Sequence, residues 1–513
     1  MAVLAPAIDQ RPGKEQPAPI LLGGYAAQAE SAWMGSVQTT EVLESLRAAP
    51  AAEPRRIVIP RLPKISLAGL YTRELGIAEA SFVLMASFFL SALFGAVRQV
   101  LFNAQFGVGI EANAYYAAFR LPDTLFSLIA GGALSSAMIP VLLSTVRKEG
   151  SAAGWRLVNL VLSTLMAVFA LVVLAGEFFA PAFVRGLLAP GFDPPTSQLT
   201  VQLTRIMLIQ PMILAIGSVA TAVLNSRNQF VPTALSILGH NLALISGIMI
   251  ARSYPDLGIF GPTLGVVGGA ILQVLFLLPG FAGQDFQLQP AWDLLDDRLQ
   301  EIVRLLIPNG LSVGVNYAGF IVDTSFASRV TNIAGLPAIF NAWMLVGLPI
   351  ALLGQAIGQA AFPRLANEAA GENWSQLRRA LFRSLAAAIG LAVPALLALF
   401  FLGRFAIRLL FEHGKFDAAA GDLTYQVLSV YAVALPAYVT TELVTRGLIA
   451  LRDTRTPLFT NIFQLILRAL LMTLLLGRFD VLAIPAAFAI SATMETFLLT
   501  SILLWKLHKR IQT

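Results

Sequence analysis

The 513-residue chain has no cysteine, only three histidines, and little charge: Asp, Glu, Lys and Arg together make up 12%. The first absence removes disulfides, thiolate nucleophiles and cysteine-bound metal, and leaves the redox compartment open. His240, His413 and His508 lie far apart, and no His/Asp/Glu metal spacing, Walker-type GKS/GKT motif or GxSxG elbow occurs. A membrane hydrolase or metalloenzyme is therefore not expected, nor is a cofactor, a coupling ion apart. Without a nucleotide site, any transport would draw on an ion gradient, the membrane potential or the substrate's own gradient. Soluble domains carry about 25% charge. Here 57% of residues are hydrophobic and the mean hydropathy is +0.74, the composition of a polytopic membrane protein. The +6 net charge would also suit a nucleic-acid binder, but in a membrane protein excess Lys and Arg marks cytoplasmic loops. No nucleic acid is expected as a partner.

What is present is repetition. Pro436–Pro457 (PAYVTTELVTRGLIALRDTRTP) has a counterpart 225 residues earlier, Pro211–Pro232 (PMILAIGSVATAVLNSRNQFVP), which sets Arg227 against Arg452. Leu121-Pro122 and Leu348-Pro349 each open a helix that ends at a further proline. Gly191-Phe192-Asp193 and Gly414-Lys415-Phe416-Asp417 each precede a helix. So long a period means two copies of one large unit.

From residue 77 onward, apolar segments of bilayer-spanning length recur, and strands are excluded at this length. Twelve are expected, at 77–103, 112–145, 156–180, 200–226, 232–252, 260–283, 300–328, 336–366, 378–405, 424–450, 457–477 and 482–506. The expected organisation is a cytoplasmic, mostly disordered arm (1–76), an N-lobe of six helices (77–283), a polar cytoplasmic linker (284–299) and a C-lobe of six helices with a basic tail (300–513). The arm has no basic region before an apolar core and cleavage site, so it is not read as a signal peptide. With the arm inside, Arg147, Lys148, Arg156, Arg227, Arg298, Arg364, Arg378, Arg379, Arg452 and Arg455 fall in inner loops, and Lys506, Lys509 and Arg510 in the tail. Outer loops carry far fewer, which places both termini in the cytoplasm. Six helices per copy implies two lobes related by a pseudo-twofold axis along the membrane normal.

Charge inside a span costs about 2.5–3.5 kcal/mol on insertion scales, so each such residue needs a reason. Polarity gathers in the equivalent helices one, two, seven and eight: Arg98 and Gln99; Arg120 and Asp123; Asn309, Asn316 and Asp323; Asn341, Gln355 and Gln359. These define a central cavity, with Arg98, Gln99, Arg120, Asp123, Asn316, Gln355 and Gln359 as candidate substrate contacts. Arg205, Glu442, Arg446, Arg468 and Glu495 are more scattered. Adding 225 to Arg98 gives Asp323, and this pair is expected to meet across the pseudo-axis as a gate, the alternative being that each pairs within its own lobe.

The stretches FGAVRQVLFNAQFGVG, ANAYYAAFRLPD, LLAPGF, AVLNSRNQFVPT, LFEHGKFD and GLIALRDTRTP together resemble the MurJ family of lipid II flippases, within the multidrug/oligosaccharidyl-lipid/polysaccharide exporter superfamily. The resemblance runs from about Ser81 to Arg510. It implies two six-helix lobes around a cavity, rocking between inward- and outward-open states. It also implies transport of an undecaprenyl-linked peptidoglycan precursor across the bacterial inner membrane, with membrane lipids and cell-envelope biosynthesis proteins as possible partners. Arg98 falls on one of the family's cavity arginines. Elsewhere the family's charges are replaced: Ala92 and Gly131 stand at charged positions, NAWMLVGLP carries no charge, and Asn113 stands for an aspartate. Members commonly add two C-terminal helices, which this sequence does not include. A thinner cationic lining leaves two alternatives in view. One is an ion-coupled exporter of small amphipathic compounds, with Asp123 and Asp323 as coupling carboxylates. The other is a non-transporting envelope scaffold acting through its arm.

Overall fold

In the computed structural model, proline does much of the local punctuation. Pro194, Pro232 and Pro436 each sit in the first turn of a helix, where the missing N–H would be unpaired anyway. Residues 71–129, 133–283 and 288–512 are described; most of the expected arm and the first part of the linker lie outside them. Among the described residues, sixteen α-helices follow in order. The first eight are α1 (Ile77–Phe106), α2 (Ile110–Ile129), α3 (Ala133–Glu149), α4 (Ser151–Phe183), α5 (Pro194–Met207), α6 (Ile209–Ser226), α7 (Val231–Ser253) and α8 (Phe260–Leu277). The second eight are α9 (Asp297–Ala327), α10 (Gly335–Pro349), α11 (Ile357–Ala370), α12 (Trp374–Phe411), α13 (Ala418–Val433), α14 (Leu435–Ala450), α15 (Arg455–Phe479) and α16 (Ala483–Gln512). No strand occurs among the described residues.

The two sets of eight follow the same order of long and divided elements. α5 and α6 divide at Leu208, and α13 and α14 divide at Ala434 with a 44° bend. α10 passes through one π-helical stretch, Ile350–Ala356, into α11. Pro122 lies inside α2 rather than at its start. The turns after α6 and α14 share one hydrogen-bond pattern, with Gln229 N on Leu224 O and Asp453 N on Leu448 O. Their left-handed residues are Asn228 (φ 59°) and Arg452 (φ 60°). In conformation, therefore, Arg452 corresponds to Asn228, one residue off the match drawn from the prolines.

Eight segments among the described residues are long and apolar enough to cross a membrane, or nine with α13–α14 taken as one bent span. The expectation of about twelve differs for two reasons. Arg455–Gln512 counts as a single 58-residue stretch, although a short turn at Asp480–Leu482 divides it into α15 and α16. The α2–α3 segment and α9 fall outside that set, and these are helices carrying Arg120, Asp123 and Asp323.

The last turn of α3, with Arg147, and the turns at Arg227 and Arg452 lie at one end of the bundle, the basic end. Packing differs between the two ends. The largest apolar core runs through Phe102, Ala112–Ala118, Ala327 and Leu336–Val346, joining α1 and α2 to α9 and α10 towards the far end. At the basic end the first half of α1 rests on α7, with Ser87 Oγ donating to Ala234 O at 2.6 Å. Phe82, Met85, Phe88 and Phe89 there remain exposed.

Candidate functional site

Three of the expected charges lie within electrostatic range of one another. Arg98, half-buried on α1, donates to Asn241 Oδ1 of α7 at 3.5 Å, and Asn241 is itself held by Ser91 Oγ at 2.8 Å. Arg98 and Arg120 are both electrostatic neighbours of Asp123. Arg120 reaches across to the second set of helices: its Nε donates to Thr324 Oγ1 of α9 at 3.2 Å. Its guanidinium lies 5.2 Å from the Phe320 ring and 5.3 Å from the Phe340 ring. A planar cation held between two aromatic faces keeps its charge while shedding water.

The expected Arg98–Asp323 gate does not form. Asp323 is ion-paired to Arg468 of α15, with side chains 8% and 7% exposed. The Arg468 guanidinium also lies 4.7 Å from the Phe488 ring. Asp323 thus finds its cation within its own half, while α7 holds Arg98. Sequence spacing identified two equivalent positions, but the cation nearest to Asp323 in space has no counterpart in the repeat. A charge alone in an apolar span needs a partner; that signal, applied to Arg468, would have found the pair.

Gln99 is enclosed by other side chains in this structure. It is 3% exposed, and its Nε2 donates to Tyr116 Oη at 2.5 Å, Asn341 Oδ1 at 2.9 Å and Asn103 Oδ1 at 3.1 Å. Asn103 Nδ2 also donates to Asn341 Oδ1 at 2.9 Å. This buried amide cluster bridges α1 and α10. Gln355 and Gln359 are exposed on the π-helical stretch and α11, and no described hydrogen bond joins them to Arg98 or Arg120. The side chain of Asn316 lies outside the described residues.

The far end is closed by two further contacts, related by the repeat. Gly191, in the turn before α5, donates its N–H to Ser328 Oγ at the end of α9 at 3.0 Å. Lys415 N, in the turn before α13, donates to Ala104 O near the end of α1 at 2.8 Å. Gly414, at φ +60°, lies so close that an added Cβ would sit 2.2 Å from Ala104 O. Each turn therefore rests on the opposite half, and glycine permits the approach. Asn113 Nδ2 adds a bond to Ile333 O at 2.7 Å, a further tie between the halves at this end.

A separate cavity of about 910 Å3 lies within the second half, between α9, α14, α15 and α16. Arg304, Arg468, Glu442, Glu495, Trp343 and Tyr438 are among its lining residues. The sequence reading did not place a site there.

Two sets of helices in matching order, tied to one another at the far end, make up a multi-pass α-helical membrane protein. The solved structure described as lipid II flippase MurJ in an inward closed conformation superposes with a TM-score of 0.71 at 21% identity, covering 82% of this chain and 87% of that one. An inward-facing multidrug resistance MATE family transporter of the MOP superfamily gives 0.72 at 13% identity, covering 85% and 99%. At those identities the likeness concerns the fold. The family model described as "Lipid II flippase MurJ" matches residues 102–513, and the chain belongs to that family. It is 28% identical over 426 residues to the probable lipid II flippase MurJ of Rhizobium meliloti (strain 1021), covering 82% of this chain and 79% of the relative. It is 29% identical over 389 residues to the lipid II flippase MurJ of Burkholderia cenocepacia, covering 74% and 75%.

Proposed function

We propose that the chain flips a polyprenyl-linked cell-wall precursor of the lipid II type across the bacterial cytoplasmic membrane by alternating access. Family membership over residues 102–513 is the observation that carries this reading. The geometry supports it: every far-end contact described above joins one half to the other, so parting them opens that end without unfolding either. Arg98 and Arg120 supply positive charge for a pyrophosphate headgroup, and Asp123 tempers it. The protein acts as a transporter rather than an enzyme and needs no cofactor. Both termini lie in the cytoplasm, as the basic loops favour, and residues 77–283 and 300–513 move as two lobes. If an ion is coupled, Asp123 is the better placed carboxylate, since Asp323 is already neutralised by Arg468.

The test is translocation of fluorescent polyprenyl-pyrophosphate lipids by purified protein in liposomes. Wild type should transport, and Arg98→Ala and Arg120→Ala should each lose at least tenfold in rate. Full activity in both variants would remove the cations from the substrate path. No transport by folded wild type, with ion gradients applied, would favour the scaffold reading.

A further inference from the structure

The first turns of α12 read WSQLRRALFRSLAAA. Leu377, Ala380, Leu381 and Leu385 are buried, which fixes the face that packs inward. At about 100° per residue the opposite arc carries Ser375, Arg378, Arg379, Phe382, Arg383 and Ala386. All six are exposed, and their side chains enclose a cleft of about 400 Å3. The three guanidinium groups form no ion pair or hydrogen bond with the described residues. The side chain of Glu372, the nearest acid in sequence, forms none either.

The level of this cleft in the membrane follows from the same helix. Between Arg383 and Arg404 lie 20 residues without a charge, about 30 Å of helix, which is the thickness of the hydrocarbon core. Leu391, Val393, Leu397 and Phe401 on this stretch are exposed, as lipid-facing side chains are. The arginines thus stand where headgroups begin. Two tryptophans lie at the same end: Trp374 under Arg510 at 4.7 Å and Trp505 under Lys509 at 5.9 Å, the usual company of a membrane interface.

We propose that this face of α12 binds the phosphate headgroup of an anionic phospholipid, at a site outside the path between the two halves. Guanidinium forks match phosphate oxygens in pairs. Phe382 lies between the arginines on that arc, and the exposed apolar stretch beyond them offers a track for acyl chains. Charge complementarity and position both favour a lipid over a soluble anion.

The experiment is native mass spectrometry of the full chain with phosphatidylglycerol or phosphatidylcholine, together with displacement by glycerol phosphate. The variant is Arg378→Gln/Arg379→Gln/Arg383→Gln. Its control, Arg147→Gln/Lys148→Gln/Arg156→Gln, removes the same charge from exposed positions at the same end. Each interfacial arginine contributes roughly a factor of five to binding an anionic lipid, so the α12 triple should weaken phosphatidylglycerol retention about a hundredfold. The control should change it threefold or less, and phosphatidylcholine should be poorly retained throughout. Should the triple not fold, Arg379→Glu alone is expected to lose tenfold or more. Equal losses in both triples, equal retention of phosphatidylcholine, or displacement by millimolar glycerol phosphate would each overturn the proposal.

Discussion

Replacing Asn341 with leucine tests whether the amide cluster holds the far end shut. The side chain is fully buried and accepts from Gln99 Nε2 and Asn103 Nδ2 at 2.9 Å each. Leucine keeps the volume and removes the acceptor. Gln99 retains Tyr116 and Asn103 as partners, so its loss is about 0.5–1.5 kcal/mol. Asn103 keeps no other acceptor described for its amide group and bears the larger penalty of a buried unpaired donor, about 1–3 kcal/mol. Together the closed arrangement is disfavoured by roughly 2–4 kcal/mol. In a far-open arrangement the same groups meet water and lose nothing. At about 1.4 kcal/mol per tenfold, the population shifts towards far-open states by roughly 30- to 1000-fold. Because the chain has no cysteine, Tyr254→Cys and Arg478→Cys give one unique pair of spin labels. These exposed far-end positions terminate the equivalent helices α7 and α15. Electron-spin distance measurements should show a longer, broader distribution in Asn341→Leu. An unchanged distribution together with unchanged transport would refute the reasoning and reduce the cluster to packing.

Other outcomes follow from neighbouring contacts. Arg468→Ala leaves Asp323 buried without its cation and should cost about 3–5 kcal/mol in thermal unfolding, whereas Asp323→Leu/Arg468→Met together should stay within about 1–2 kcal/mol of wild type; equal losses would contradict the pairing. Gly414→Ala forces a side chain into a left-handed turn and against Ala104 O, so transport should fall severalfold and the spin-label distance should lengthen. Gly186→Ala, with open space around it, should do neither. Asp453 is half of the Lys506 ion pair in the turn before α15. Burial alone would raise its pKa, but Lys506 and Thr456 outweigh that and hold it at about 2, below its usual 3.8. A carboxyl lowered on folding stabilises above its ordinary range and loses that contribution as pH falls through the folded value. Stability should therefore drop between about pH 4 and pH 2, and Asp453→Asn should flatten that slope.

Much of this molecule was written in its composition and period. Scarce charge and recurrent apolar runs fix a helical membrane protein, because lipid leaves no other way to satisfy the backbone over such lengths. The repeat fixes two units of one connectivity, and it paired the Gly191 and Gly414 turns. Charge within apolar spans singled out Arg98, Arg120 and Asp123, which are electrostatic neighbours. Which groups touch was decided only by tertiary packing. Repeat arithmetic aligns positions that are equivalent, and equivalent positions need not meet: Arg98 turned to Asn241 and Asp323 to Arg468. The amides of Gln99, Asn103 and Asn341 are 238 or more residues apart across the halves, at no offset the repeat supplies, and only the approach of α1 to α10 in the folded chain makes them one cluster. Sequence sets what each helix must bury. The way the helices pack decides which buried group answers which.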